Sequence, residues 1–559
     1  MEQKLSRRRL MQSGVAVTAP LLAGCANQSD DSTPTPDDSD GESTDGDSDE
    51  GTPTSQNSSS QSIHITQGNA PLYRLDPLQD PFAFGRRILN NVFDGLYEYG
   101  EGPELVPVLA TGEPEVENDG QRYIVEIVDD AEFHNGDRLT AEDVVYSFVE
   151  PLRAESLGSG DVSMIDPEGT QVIDETTVQF DLEFPYAPFH TSVLPRLIVD
   201  KQAREEDPEA YNSAPIGSGP FEYSDHVEGE FVELEAWDDF WGEPSPNLSS
   251  ARFTVTEDDS SRVSQLLAGD TDMISEIPAS AWERLENNDN VQIHYQDNIA
   301  YLYSAFNCND GPTANVDVRR GIWHSYSEQA YIESQYPEAV PVVDKISPVP
   351  QPVLERWDLP VEEYRELQTV EYNPEKAAEL LDGNIPDPWE PTFVSLGEDP
   401  FHEYLSARLR GLSEYGLTIE PQIQSYGIPQ FNDTVFSGNA EDYQMYSIGH
   451  TGGLDPDSYF YSLFSEAQRG VPGGNGSYYG GEEFLSKIEE ARRMSDQDAR
   501  RQIYDELIRE VLEQAAHMPR QQIGNNVATR SSVQDVSVPV HPDWMLHLTN
   551  PVNNVSNAE

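Results

Sequence analysis

Phe133-His134-Asn135-Gly136-Asp137-Arg138-Leu139-Thr140-Ala141-Glu142-Asp143-Val144 reads as one strand–turn–helix unit. A strand ends at Phe133, and Asn135-Gly136 makes the turn, glycine taking the positive φ such turns need. Thr140 with Asp143 three residues on is a capping-box variant, and Val144, Val145 and Phe148 follow on one helical face. His134 is scaffold in this reading, not a catalytic base. Outward from this unit lie alternating stretches that predict strands at Ile63 to Thr66, Tyr123 to Val128, Val178 to Leu182, Phe231 to Trp237, Phe253 to Thr256 and Val291 to Tyr295. Helices are predicted after Asn373-Pro374, ending at Gly383, over Phe401 to Leu412, stopping at Gly416, and over Asp496 to His517, closed by Pro519. Strands dominate before about residue 317 and helices after it, which predicts an α/β body of at least two lobes.

The chain has 559 residues, enough for three or four domains at roughly 150 residues each. Asp and Glu number 102 against 33 Lys and Arg, a net charge of -69 that excludes binding to a nucleic-acid backbone. Only five residues are Lys (positions 4, 201, 345, 376 and 487) and 28 are Arg. So large a like charge drives a compact chain apart in dilute buffer, whereas at molar salt the Debye length falls to about 3 Å. The composition therefore predicts a halophilic protein. Residues 26–61 hold only ten of the acids, so the excess belongs to the body.

Lys4 and Arg7 to Arg9 precede an uncharged run from Leu10 to Gly24 that is short for a membrane span. Ser6-Arg7-Arg8-Arg9-Leu10-Met11 resembles a twin-arginine export signal, and Leu22-Ala23-Gly24-Cys25 resembles a lipobox, which predicts lipidation of Cys25. Residues 26–61, rich in Ser, Thr, Asp, Gly and Pro without Lys, Arg or aromatic residues, predict a disordered acidic tether. With Cys25 lipidated, Cys308 has no partner for an intrachain disulfide.

No HExxH, CxxC, GxSxG or P-loop sequence occurs, and no His pair stands at i, i+4, so neither a metal nor a cofactor is expected. Gly217-Ser218-Gly219-Pro220 lacks the third glycine of a dinucleotide loop and reads as a turn.

The Phe133 to Val144 segment resembles the signature of family 5 solute-binding proteins, the dipeptide and oligopeptide receptors of ABC importers. The likeness continues through Leu75-Asp76-Pro77, Asn91 to Leu96, Leu105-Val106-Pro107, Ser218 to Phe221, Phe240-Trp241-Gly242, Leu267 to Asp272, Asp317 to Arg320 and Tyr372 to Ala377. Asp129-Asp130 and Ala110-Thr111-Gly112-Glu113 depart from the family pattern. The resemblance implies a two-lobed α/β fold of the periplasmic-binding-protein type, with an extra subdomain and two hinge crossings, near Tyr301 to Asn307 and near Gln521 to Val527. The expected division is signal 1–25, tether 26–61, a first lobe of 62–303 plus 525–559 with an inserted subdomain at about 94–180, and a second lobe of 304–524.

The resemblance further implies that the loop Gly449-His450-Thr451-Gly452-Gly453-Leu454-Asp455-Pro456-Asp457 meets the ligand, with Tyr303, His450, Thr451 and Asp455 as candidate lining residues. Peptide receptors of the family place an Asp shortly after Thr-Gly for the peptide amino terminus; here Gly453 stands near that point. Asp455 either substitutes for it or belongs to the Asp455-Pro456 turn. The expected protein is a monomeric receptor on the outer face of the cytoplasmic membrane, held there by lipid, that passes a small solute or peptide to an ABC permease and its ATPase subunits and performs no catalysis. A tethered hydrolase of polymer fragments is the competing reading, since glycosidase carboxylates leave little local signature. A surface adhesion protein is a third, and the body has no repeated module to support it.

Overall fold

The computed structural model describes residues 61–68, 75–79, 83–338, 340–343, 348–368, 370–471, 473–520 and 522–558. The expected export signal, Cys25 and the tether up to residue 60 lie outside the described residues.

Two mixed sheets form the frames of two lobes. The first has seven strands in the order Val291–Gln296, Asn525–Arg530, Met273–Ser275, Ser62–Gln67, Ser250–Val255, Phe231–Ala236 and Phe221–Val227. The second has five, in the order Gln422–Tyr426, Thr392–Leu396, Met445–Thr451, Ala300–Phe306 and His517–Arg520. A four-stranded antiparallel sheet (Glu115–Glu117, Arg122–Glu126, Thr177–Asp181, Gln171–Asp174) belongs to a subdomain with its own core of Tyr123, Val125, Phe148, Phe180 and Phe189.

The signature segment folds as its residues dictate. Gly136 adopts φ 82°, and the Thr140 amide and hydroxyl both donate to Asp143 Oδ2, at 2.9 and 2.8 Å, at the head of the helix Ala141–Arg153. The other Asp143 oxygen accepts from the Lys201 amide at 3.1 Å, so one carboxylate caps its own helix and ties down the first amide of the helix Lys201–Glu206, which Asp200 caps. His134 is clamped to the Gly217–Gly219 turn: the Gly217 amide donates to Nδ1 at 3.2 Å, and Nε2 reaches the Gly219 carbonyl at 2.9 Å. That pattern requires the neutral Nε2–H tautomer, and burial pushes the ring down to about 4. The same turn passes beneath Val92, where a Cβ on Gly217 would lie 1.8 Å from the Val92 carbonyl oxygen. Ser218 donates to Asp94 Oδ2 at 3.0 Å, and burial pushes Asp94 up to about 7.

Two expectations are corrected. The helix forecast from Asp496 to His517 is Gln497–Glu513, and His517–Arg520 is a strand. Ala515 takes φ 49°, and the amides of Ala515 and Ala516 return to the carbonyls of Leu512 and Val511, closing a Schellman motif without its usual glycine. Pro519 is accommodated because its strand is at the edge of the sheet. The first crossing lies between Gln296 and Ala300, ahead of Tyr301 to Asn307, since Ala300–Phe306 pairs wholly within the second sheet. The return crossing lies between Arg520 and Asn525. Asn298 Nδ2 donates to Asn525 Oδ1 at 3.1 Å, tying the two crossings side by side.

Gly217→Ala is expected to lower unfolding free energy by about 3 kcal/mol or more through the clash with Val92. Gly136→Ala, with open space around its Cβ, should cost only about 1–2 kcal/mol for its positive φ; denaturant titration separates the two. Asp94, raised from its ordinary 3.8 to about 7, contributes most to stability below pH 4 and loses that contribution as pH rises toward 7. Asp94→Asn should therefore gain on the natural chain by up to about 4 kcal/mol between pH 4 and 8, read as melting temperature against pH.

Candidate functional site

The strands Thr392–Leu396, Gln422–Tyr426 and Met445–Thr451 run parallel, with Thr392–Leu396 between the other two. Their connections leave in opposite directions at this point, and the position beyond the carboxyl ends of strands at such a reversal is the usual ligand position in sheets of this kind. The antiparallel partner Ala300–Phe306 enters at the same edge, and Arg520 arrives there because Leu302 pairs with both Gly449 and Arg520.

The four residues expected at the site occupy one neighbourhood in different settings. Tyr301 pairs with His450 and Tyr303 with Ile448. Tyr303 is buried, stacked on His517 at 4.6 Å and 2° and on Tyr301 at 4.9 Å, with Phe464 beyond His517 at 4.4 Å. Burial pushes His517 down to about 3, so this aromatic column is uncharged. His450 lies against Tyr459 at 5.7 Å, its Nε2 reaches the Ser458 carbonyl at 3.0 Å, and burial pushes it down to about 4. Thr451 and Gly452 are half-buried, the open stretch between buried His450 and buried Gly453. Asp455 is buried, and its Oδ1 accepts from Arg500 Nη2 at 2.7 Å and from the Asp457 amide at 2.9 Å. The loop's carboxylates are thus matched from within, Asp455 by Arg500 and Asp457 by Arg492, 3.6 Å away.

The supporting residues were not legible in the sequence. Arg500 also donates to the Ala491 carbonyl at 2.9 Å and lies over Trp357, whose indole donates to the Leu454 carbonyl at 3.0 Å. Arg520 binds Asp399 at 2.7 Å and Tyr331 at 3.2 Å. Of these only Asp399 carried a signal, as an Asp-Pro helix start. An Asp–His–Ser grouping does form, since His402 Nε2 is 2.8 Å from Ser447 Oγ and 3.8 Å from Asp399 Oδ2. It is no relay, because one nitrogen faces both partners, Asp399 is held by Arg520, and His402 is fully buried. Among the described residues no three His, Cys, Asp or Glu side chains converge as a metal site requires.

Residues 104–470 match the family model described as bacterial extracellular solute-binding proteins, family 5 Middle. The chain is 24% identical over 445 residues to the dipeptide-binding protein of Escherichia coli (strain K12), covering 74% of this chain and 80% of that one. It is 23% identical over 421 residues to the oligopeptide-binding protein AppA of Bacillus subtilis (strain 168), covering 70% and 74%. Its fold matches the ABC transporter substrate binding protein CtaP of Listeria monocytogenes with a TM-score of 0.75, at 20% identity and over 89% of this chain and 99% of that chain. The chain belongs to family 5 of the bacterial extracellular solute-binding proteins, and it is a binding protein rather than an enzyme.

Proposed function

We propose that this protein captures a small solute, a peptide in the first instance, and hands it to an ABC permease driven by ATPase subunits. The observation that carries this reading is the half-buried stretch Thr451-Gly452 at the carboxyl end of the parallel strands, with a buried neutral imidazole at His450 beside it. His450 and Thr451 reach the solute. Tyr303 and Asp455 hold them in place, the first through the aromatic column and the second through Arg500. The peptide assignment is supported by relatives named for dipeptides and oligopeptides. Ligand contacting both lobes would favour the closed form, which the permease then recognises.

The division into a first lobe of 62–296 plus 525–559, with a subdomain of about 94–198, and a second lobe of 300–520 is part of the proposal, the boundary moved from the expected 303 to the crossing between Gln296 and Ala300. So are export through the twin-arginine signal, a lipid anchor at Cys25 with 26–61 as tether, a monomeric state, and a working medium of concentrated salt. The salt reading rests on the net charge of -69.

A thermal-shift screen in molar potassium chloride tests the cargo. Dialanine, trialanine or a nonapeptide at 100 times Kd should add about 2.7 kcal/mol of stability without being cleaved. Stabilisation by cellobiose or a nickel–histidine chelate alone would reject the peptide assignment. For the anchor, Cys25→Ser should move the protein from the membrane fraction to the medium; retention on the membrane would refute lipidation as the tether.

A further inference from the structure

The guanidinium of Arg492 lies 3.4 Å from the ring centre of Tyr461, on the second lobe, and 5.0 Å from that of Tyr186, on the subdomain. Phe184, also on the subdomain, is 6.0 Å away. Arg492 thus belongs to one body by chain and to both by contact. Its carbonyl accepts from the Ala187 amide at 3.1 Å, a backbone bond between the same two bodies. The approach is close elsewhere on this edge: a Cβ on Gly453 would lie 3.3 Å from Ser192 Oγ, and one on Gly120 would lie 3.7 Å from Ser495. Arg492 is buried, as is its ionic partner Asp457, and the Asp457 amide is fixed by Asp455, which Arg500 holds.

From this arrangement we infer that Arg492 is a positioning residue that couples lobe closure to the ligand loop: its guanidinium latches Tyr186 of one lobe to Tyr461 of the other while its charge is anchored on Asp457 within that loop. The inference rests on reading residues 449–457 as the ligand loop. Separating the lobes withdraws Tyr186 and opens Arg492 to water on one side. Asp457 then loses part of the enclosure around its counter-ion, and the loop loosens. Closing the lobes restores the cation between two aromatic faces, an interaction that strengthens as water leaves. Salt screens exposed charge far more than buried pairs, so the latch keeps its strength in a medium that silences the surface.

The test follows closure directly and needs no ligand, so a failed cargo screen would leave it intact. In the full chain with Cys25→Ser and Cys308→Ser, spin labels at Glu117→Cys and Gln497→Cys report the distance across this edge by pulsed electron–electron resonance in molar potassium chloride. The parent should show a short-distance population, and Arg492→Ala should lower the ratio of short to long distances by about fivefold or more. Arg492→Lys should restore part of it. Tyr186→Leu leaves the Arg492–Asp457 pair in place and removes the nearer cross-lobe ring while keeping an apolar side chain in the subdomain core, so it serves if Arg492→Ala does not fold. The double variant should be no more open than the more open single one, since both remove one contact. A parent-like distance distribution in Tyr186→Leu, or effects of the two changes that simply add, would overturn the latch.

Discussion

Everything in the first lobe depends on how closely two backbone segments pass. Gly217 and Gly219 run beneath Asn91 and Val92 with no room for a side chain, and the Gly219 and Phe221 amides donate to the Val92 and Asn91 carbonyls at 2.9 and 3.0 Å. His134 grips the turn from the other side. The strand Phe221–Val227 therefore starts at a fixed point, and so does the path beyond Asp94. There the Ile198 amide donates to the Asp94 carbonyl at 2.9 Å and fixes one end of the subdomain. The segment carrying Tyr186 and Ser192 to the second lobe hangs from that junction.

The electrostatic design separates outside from inside. A chain with a net charge of -69 nevertheless holds its buried ions in near-balance: Asp455 with Arg500, Asp457 with Arg492, Asp399 with Arg520, Asp76 with Arg204. At these four pairs, removing the cation would leave a carboxylate that is buried or nearly so alone, at a cost of about 3–5 kcal/mol. Where no cation is supplied, as at Asp94, burial raises the acid's affinity for a proton instead.

Much of the frame was legible because its signals are local. The Thr140–Asp143 box, the Asn135-Gly136 turn, the Asn373-Pro374 helix start and the terminators Gly383 and Gly416 all act over a few residues, and all appear where expected. The helix ending at Glu513 was misread because its Schellman cap uses alanine, leaving the apolar period to run on unbroken into a strand. The site was legible as a loop and not as a mechanism. Nothing near Arg492 or Arg500 distinguishes them from the solvated arginines of the same two helical stretches; their roles come from Tyr186 and Asp455, placed by distant parts of the chain. Asp455, open between ligand group and turn residue on sequence alone, acquires an internal counter-ion through folding.

The pair of amides joining Asn298 to Asn525 carries a consequence for how such a receptor bends. Asn525 also donates to the Pro539 carbonyl at 2.8 Å, and the Ile299 amide donates to the Val540 carbonyl at 3.2 Å, so these bonds at the pivot join uncharged dipoles. Dissolved ions neither screen nor compete strongly for such bonds, in contrast to a salt-bridged joint. The share of the bend's stiffness that these bonds supply is thereby insulated from salinity, while the charged exterior changes its effective field with every shift in the medium.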